Sequence, residues 1–177
     1  MKGLMKTFAF ILLLALMPLV RSEPLPPGSS APDFVSKDAS GHEIHLGKIK
    51  DKIIVLDFWA TWCGPCMASM PHAQEVAKKY KDQEVVVLAV CTSDTRADFL
   101  QWLKTKGKGY PNISFACDPN DRGSATYAER AAQKLYKVDG IPTQFVIGKD
   151  GKITATIVGY DKGDDRLEKA LAKLGVK

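Results

Sequence analysis

The sequence predicts an α/β protein in three layers, one central mixed sheet with helices on both faces. Three observations carry this expectation. Ile53-Ile54-Val55-Leu56-Asp57-Phe58-Trp59 and Val85 to Val90 are almost wholly apolar, as strands buried on both faces are. Segments with apolar residues at helical spacing follow such runs. Near the C-terminus, Thr143 to Ile147 and Ile153 to Val158 face each other across Lys149-Asp150-Gly151, which reads as a hairpin. At 177 residues, the chain suffices for one domain with a sizeable core.

Residues 1–22 read as a secretory signal. Lys2 and Lys6 give a positive start, Phe8 to Met17 is apolar or neutral, and Pro18 interrupts the run. Val20 and Ser22 are small enough to precede a cut before Glu23. The alternative is an uncleaved anchor, although the apolar run of about 10–14 residues falls short of the roughly 20 that span a bilayer. No cysteine lies near the cut, which excludes a lipid-modified cysteine there. Export implies an extracytoplasmic, oxidising compartment, where the four cysteines can support disulfide chemistry. Without residues 1–22 the net charge falls from +5 to +2, because Lys2, Lys6 and Arg21 are lost with no acidic residue. So small a balance argues against nucleic acid or an anionic membrane as partner. Lys104, Lys106 and Lys108 read as a solvated helix end.

The remaining elements follow in order. Residues 23–32, with Pro24, Pro26, Pro27, Gly28 and Pro32, read as an extended linker ahead of a domain spanning 33–177. Phe34 to Leu46 reads as a β-hairpin turning at Asp38 to Gly41, with His42 and His45 as surface residues. The apolar run from Ile53 to Trp59 is the first buried strand. Met67 to Lys81 then has Met70, Ala73, Val76, Ala77 and Tyr80 at helical spacing, with Pro71 as an expected kink. The next strand ends at Cys91, and Thr95-Arg96-Ala97-Asp98 opens a helix that Gly107 stops. Ile113 to Cys117 is a short strand. Ser124 to Tyr136 is expected as a helix with Ala128, Ala131 and Leu135 on one face, and Asp164 to Leu174 closes the chain as an amphipathic helix. No repeats or low-complexity tracts interrupt this order.

Trp62-Cys63-Gly64-Pro65-Cys66 concentrates the chemistry. The thiolate, not the thiol, attacks a disulfide, and a free cysteine with pKa near 8.5 is mostly protonated at neutral pH. A cysteine at a helix start gains from unpaired N–H groups and the positive end of the helix dipole. Cys63 is therefore assigned as nucleophile. Cys66, one turn later, can resolve the mixed disulfide, and Gly64-Pro65 makes the turn and begins the helix. A zinc site would need a second close pair, which Cys91 and Cys117 are not. Covalent haem attachment would need a histidine where Met67 stands. A purely structural CxxC disulfide stays open. No metal and no cofactor are expected.

Phe58-Trp59-Ala60-Thr61-Trp62-Cys63-Gly64-Pro65-Cys66 resembles the active-site segment of the thioredoxin superfamily, and Gly140-Ile141-Pro142-Thr143 resembles its cis-proline loop. The export signal, the hairpin from Phe34 to Leu46 and an inserted helix plus strand, about Thr95 to Asp118, are similar to the TlpA/ResA branch of extracytoplasmic thiol-disulfide oxidoreductases. The resemblance covers about Ala31 to Leu174 and implies a thioredoxin-like sandwich. By position, Pro142 matches the cis-proline, which keeps a backbone N–H off the approach to the sulfur. Ile141 would offer backbone to a client peptide, and Trp62 would offer apolar contact surface beside Cys63. Gly64 and Pro65 complete the client-facing turn, and Pro71 matches the helix-kink proline.

Asp57, six residues before Cys63, matches the buried aspartate of cytoplasmic-type thioredoxins, where many TlpA/ResA relatives carry asparagine. Some relatives carry a glutamate three residues after the second cysteine; Ser69 stands there instead. The resemblance implies that Asp57, its pKa raised by burial, helps to deprotonate Cys66. The other reading is a strand-end aspartate facing solvent. Cys91 and Cys117 each end an apolar strand. In the inferred fold these strands are parallel neighbours, about 4.8 Å apart, close enough for a structural Cys91–Cys117 disulfide. Two buried free thiols, or a relay pair exchanging with Cys63, are the other readings.

The expected function is disulfide reduction in other exported proteins, in cytochrome c maturation or general thiol repair, by a monomer. The resemblance implies a membrane electron donor of the DsbD/CcdA type. Other readings are a thiol peroxidase of the redoxin type, a disulfide oxidase or isomerase, and a non-catalytic binding module on the same frame.

Overall fold

The computed structural model describes residues 23–177; the signal expected over residues 1–22 lies outside the described residues. The strands are β1 (Val35–Lys37), β2 (Glu43–His45), β3 (Ile53–Trp59), β4 (Val85–Cys91), β5 (Ile113–Cys117), β6 (Thr143–Ile147) and β7 (Ile153–Val158). The helices are α1 (Gly64–Tyr80), α2 (Arg96–Thr105), α3 (Ala131–Lys134) and α4 (Arg166–Lys173). One sheet runs in the order β2-β1-β5-β4-β3-β6-β7. Strands β3, β4 and β5 are parallel, and β6 and β7 continue antiparallel from β3. This is the expected three-layer α/β sandwich with a central mixed sheet.

Strand β3 sits at the centre, and all seven of its residues are buried. Its alternation assigns the two cores. Val55 and Trp59 pack with Met70, Phe99, Trp102 and Leu171, from α1, α2 and α4. Ile54, Leu56 and Phe58 pack on the other face with Phe34, Tyr136 and Phe145. Asp57 shares the parity of Val55 and Trp59, so it faces α1.

Most expected elements form where the patterns place them. The hairpin closes through Asp38 N donating to His42 O, with Gly41 at φ 90° in the turn. Helix α2 starts where Thr95 Oγ1 accepts Asp98 N–H. The helix expected over Ser124 to Tyr136 is the main departure. Only α3 is α-helical there, preceded by a short 3₁₀ turn at Tyr127–Glu129. Local side chains compete for the backbone: Ser124 Oγ takes Thr126 N–H, Thr126 Oγ1 donates to Asn120 Oδ1, and Arg130 is extended with its guanidinium over the Tyr127 ring. Asp118 Oδ2 then accepts Ala131 N–H at 2.6 Å and fixes the late start of α3.

Residues 23–32 have no helix or paired strand of their own, yet they are bonded to the domain rather than free of it. Leu25 N donates to Tyr136 O and Gly28 N to Ile153 O, while Thr156 Oγ1 donates to Leu25 O at 2.6 Å. The proline-rich segment is thereby tied along β7.

Candidate active site

Helix α1 begins where its backbone donors lack partners, and Cys63 is its N-cap. Pro65 occupies the first turn, where its missing N–H leaves no hydrogen bond unmade. The helix therefore starts three residues earlier than apolar spacing alone indicates, and Cys66 lies inside it. Cys63 Sγ accepts the Cys66 N–H at 3.2 Å. Cys63 and Cys66 form a disulfide with Cα atoms 5.2 Å apart. Both cysteines are buried, Cys63 at 4% exposure and Cys66 at 0%, so Cys63 is the one of the pair that retains any surface for an incoming disulfide. Gly64 and Pro65 are exposed beside it, and Trp62 is 60% exposed.

The second loop arrives from the start of β6. The Ile141–Pro142 peptide bond is cis, and the Ile141 carbonyl oxygen lies 3.6 Å from Cys63 Sγ. That contact is not a hydrogen bond, because a disulfide sulfur carries no proton. Trp62, Ser93, Arg130, Gly140 and Ile141 line a cleft of about 260 Å³ on this side of the sulfur. Of the residues expected to face a client, Trp62 and Ile141 line this cleft, Gly64 and Pro65 are exposed next to Cys63, and Pro142 follows Ile141 through the cis bond.

Asp57 does not face solvent. It is wholly buried, on the α1 side of β3. Burial drives its carboxyl up from 3.8 to about 7, against the lowering effect of one hydrogen bond from Gln144. That bond, Gln144 Nε2 to Asp57 Oδ2, is 3.2 Å long, and Asp57 Oδ1 has no hydrogen-bond partner among the described residues. Ser69, at the position where some relatives carry a glutamate, is buried and donates to the Cys66 carbonyl at 2.9 Å.

Asp94 was not singled out by sequence reasoning. Its carboxylate accepts Thr61 N–H at 2.7 Å and Thr61 Oγ1–H at 3.0 Å. Trp62 Nε1 donates to the neighbouring Ser93 carbonyl at 3.1 Å. The segment after β4 therefore holds the turn that presents Cys63. An aspartate in a polar stretch after a strand resembles many loop residues, so local sequence offered no signal for Asp94.

Cys91 and Cys117 are in register on adjacent parallel strands, as expected. The expected bridge is absent: both are free, buried thiols. The Cys91 thiol donates to Asp94 Oδ2 at 2.9 Å, which gives it a role a disulfide sulfur could not fill. The neighbouring Cys117 thiol, burial and the Asp94 charge push the Cys91 thiol far above its ordinary range. Among the described residues, no three His, Cys, Asp or Glu side chains gather as a metal site.

A redox-active disulfide at a helix N-terminus, capped by a cis-proline loop on a mixed five-strand core with a hairpin edge, defines a thiol-disulfide oxidoreductase of the thioredoxin fold. The redoxin family model matches residues 26–173, and the chain belongs to that family. Within the thioredoxin superfamily it is TlpA/ResA-like. It is 33% identical over 147 residues to the thiol-disulfide oxidoreductase ResA of Bacillus thuringiensis, covering 83% of this chain and 78% of that protein. A Chlorobium tepidum crystal structure, described as a candidate thiol:disulfide interchange protein DsbE, superposes with TM-score 0.70 at 32% identity, covering 85% of this chain and 98% of that one. The exposed lipoprotein thioredoxin Etrx1 of Streptococcus pneumoniae superposes with TM-score 0.62 at 33% identity, over 80% of this chain and 99% of that one.

Proposed function

We propose that this enzyme is exported and reduces disulfides in other extracytoplasmic proteins through Cys63 and Cys66. The single observation that carries this reading is Cys63 Sγ held as the N-cap of α1, accepting Cys66 N–H while facing Ile141. In the reduced enzyme the same N–H and helix dipole favour a Cys63 thiolate. That thiolate attacks one sulfur of a client disulfide, forming a mixed disulfide and releasing the other client sulfur as a thiolate, which takes a proton. Asp57 accepts the proton of Cys66 through a water molecule. The Cys66 thiolate then attacks Cys63 Sγ and expels the second client sulfur. Two electrons pass to the client, and the enzyme is left with the Cys63–Cys66 disulfide of this structure.

Repeated reduction in an oxidising compartment needs two electrons and two protons per turnover from another dithiol. A membrane donor of the DsbD/CcdA type is the proposed source. The names of the relatives support disulfide exchange, and an apocytochrome c disulfide is a client to try first. The reduction potential of Cys63–Cys66 tests the direction. A value near the −270 mV of thioredoxin supports a reductase; one near the −120 mV of a strong oxidase, about 150 mV higher, overturns it. Cys66→Ser should accumulate the client as a mixed disulfide on Cys63. N-terminal sequencing of the exported protein should read Glu23 first. The redoxin match favours one second reading, a thiol peroxidase, which turnover of hydrogen peroxide at a rate comparable to disulfide turnover would establish.

A further inference from the structure

The sheet pairs Asp57 with a residue that the catalytic assignment leaves unused. In the antiparallel β3–β6 register Gln144 lies directly opposite Asp57, so both side chains point to the α1 face. Gln144 is itself buried, and its amide makes the sole side-chain hydrogen bond to the carboxyl among the described residues. It follows Pro142 by two residues, so the strand that places the client-facing loop also places this amide.

We propose that Gln144 is the positioning residue of the buried carboxyl, its primary amide being a partner that holds Asp57 both with and without its proton. The proposal rests on the assignment of Asp57 as proton acceptor for Cys66. A primary amide carries two N–H donors and a carbonyl acceptor. With Asp57 ionised, Nε2–H donates to Oδ2, as the structure shows. When the Cys66 proton arrives, the carboxyl becomes a donor, and rotation of the amide presents Oε1 to accept that O–H. One proton leaves sulfur and one O–H forms, with no net charge added to the site. A lysine here would fix the carboxylate and oppose protonation; an apolar residue would fix the acid.

The surroundings suit this role. Gln144, Ser69, His72, Pro142 and Tyr160 border one small cavity on the α1–α4 side. The titratable groups that border it are His72 on α1 and Tyr160 and Asp164 after β7, and Glu168 on α4 bonds His72. His72 is engaged by Glu168 at 2.7 Å, and Asp164 by Arg166. From β4 the residue opposite Asp57 is Ala89, which brings no charge. Gln144 therefore acts on Asp57 without a competing ion pair, and its loss costs the carboxylate, whose hydrogen bond is charge-assisted, more than the acid.

The test is Gln144→Met, similar in size and without hydrogen bonds. Carbon-13 NMR of the Asp57 carboxyl in the oxidised enzyme should show its titration midpoint about one pH unit higher, a tenfold gain in proton affinity. The pH midpoint for resolution of a Cys63 mixed disulfide should move with it, and Gln144→Met added to Asp57→Asn should change nothing further. An unmoved Asp57 midpoint overturns the role of Gln144. If that midpoint moves while Asp57→Asn leaves the resolution profile unaltered, the Asp57 assignment fails instead, and with it the catalytic part of the proposal. Should Gln144→Met not fold, Gln144→Glu keeps the volume and must raise the Asp57 midpoint through a second carboxyl; a lowered or unmoved midpoint there is equally fatal.

Discussion

Asp57→Asn should stabilise the oxidised enzyme at neutral pH, and the gain should vanish in acid. The carboxyl binds its proton with pKa about 7 in the folded chain and 3.8 once exposed. Between these values the folded state holds a proton that the unfolded state has released, so stability falls as pH rises and levels off above about 7. At about 1.4 kcal/mol for each tenfold change in proton affinity, the full effect is about 4 kcal/mol. From pH 5.5 to 8.5 about 2 kcal/mol of it is expected to develop. The asparagine keeps the shape and carries no titration. The assay is urea unfolding of wild type and variant across that pH range, with Cys63–Cys66 oxidised so that neither thiol titrates. Because every other group is shared, the difference between the two curves isolates Asp57. Parallel loss of stability in both proteins would refute the burial argument, and a wild type that gains stability relative to the variant as pH rises would refute its sign.

Three further outcomes follow from the contacts. Asp94→Ala leaves Thr61 N–H, Thr61 Oγ1–H and the Cys91 thiol without their acceptor; urea unfolding should show a loss of about 2–3 kcal/mol, and insulin reduction should slow as the Cys63 turn loosens. Denaturing the oxidised enzyme without reductant should release two thiols, Cys91 and Cys117, that are unreactive in the native protein; no thiols would mean that they are bridged after all. Tyr136→Phe removes a 2.8 Å hydrogen bond to the Pro32 carbonyl while keeping its ring packing, and should lower stability by about 1 kcal/mol without affecting turnover.

Strongly periodic features were legible in the sequence because their cause is local. An all-apolar run such as Ile53 to Trp59 has one comfortable place, the centre of a sheet, and a CxxC before a helical pattern has one end of a helix to occupy. Asp57 was legible as an exception to such a run. Asp94 and Gln144 were not, since what makes each matter is a partner 33 or 87 residues away that only the folded sheet brings near. The failed helix over residues 124–136 shows the converse. Its alanines have helical spacing, but Ser124, Thr126 and Asp118 offer the backbone nearer partners, and those bonds win over a weak periodicity. The Cys91–Cys117 expectation rested on strand spacing, which the structure has; the thiols instead remain free, and Cys91 turns to Asp94, a group whose need for a donor was invisible in the sequence.

The two sulfurs stand in opposite electrostatic settings, and on the proposed assignment that opposition orders the reaction. Cys63, the less buried of the two, has a helix N–H on its sulfur, so it is the thiol that ionises first. Cys66 is wholly buried, where a thiolate is disfavoured until a base is at hand. An aspartate at its ordinary pKa of 3.8 would be a poor base for a thiol, about three decades weaker in proton affinity than one near 7. Raising it to neutrality requires the desolvation that β3 imposes, and going no higher requires the one hydrogen bond from Gln144. On that assignment Cys63 is the thiol that attacks, and Cys66 becomes a nucleophile only by giving its proton to the neutral-range carboxyl of Asp57.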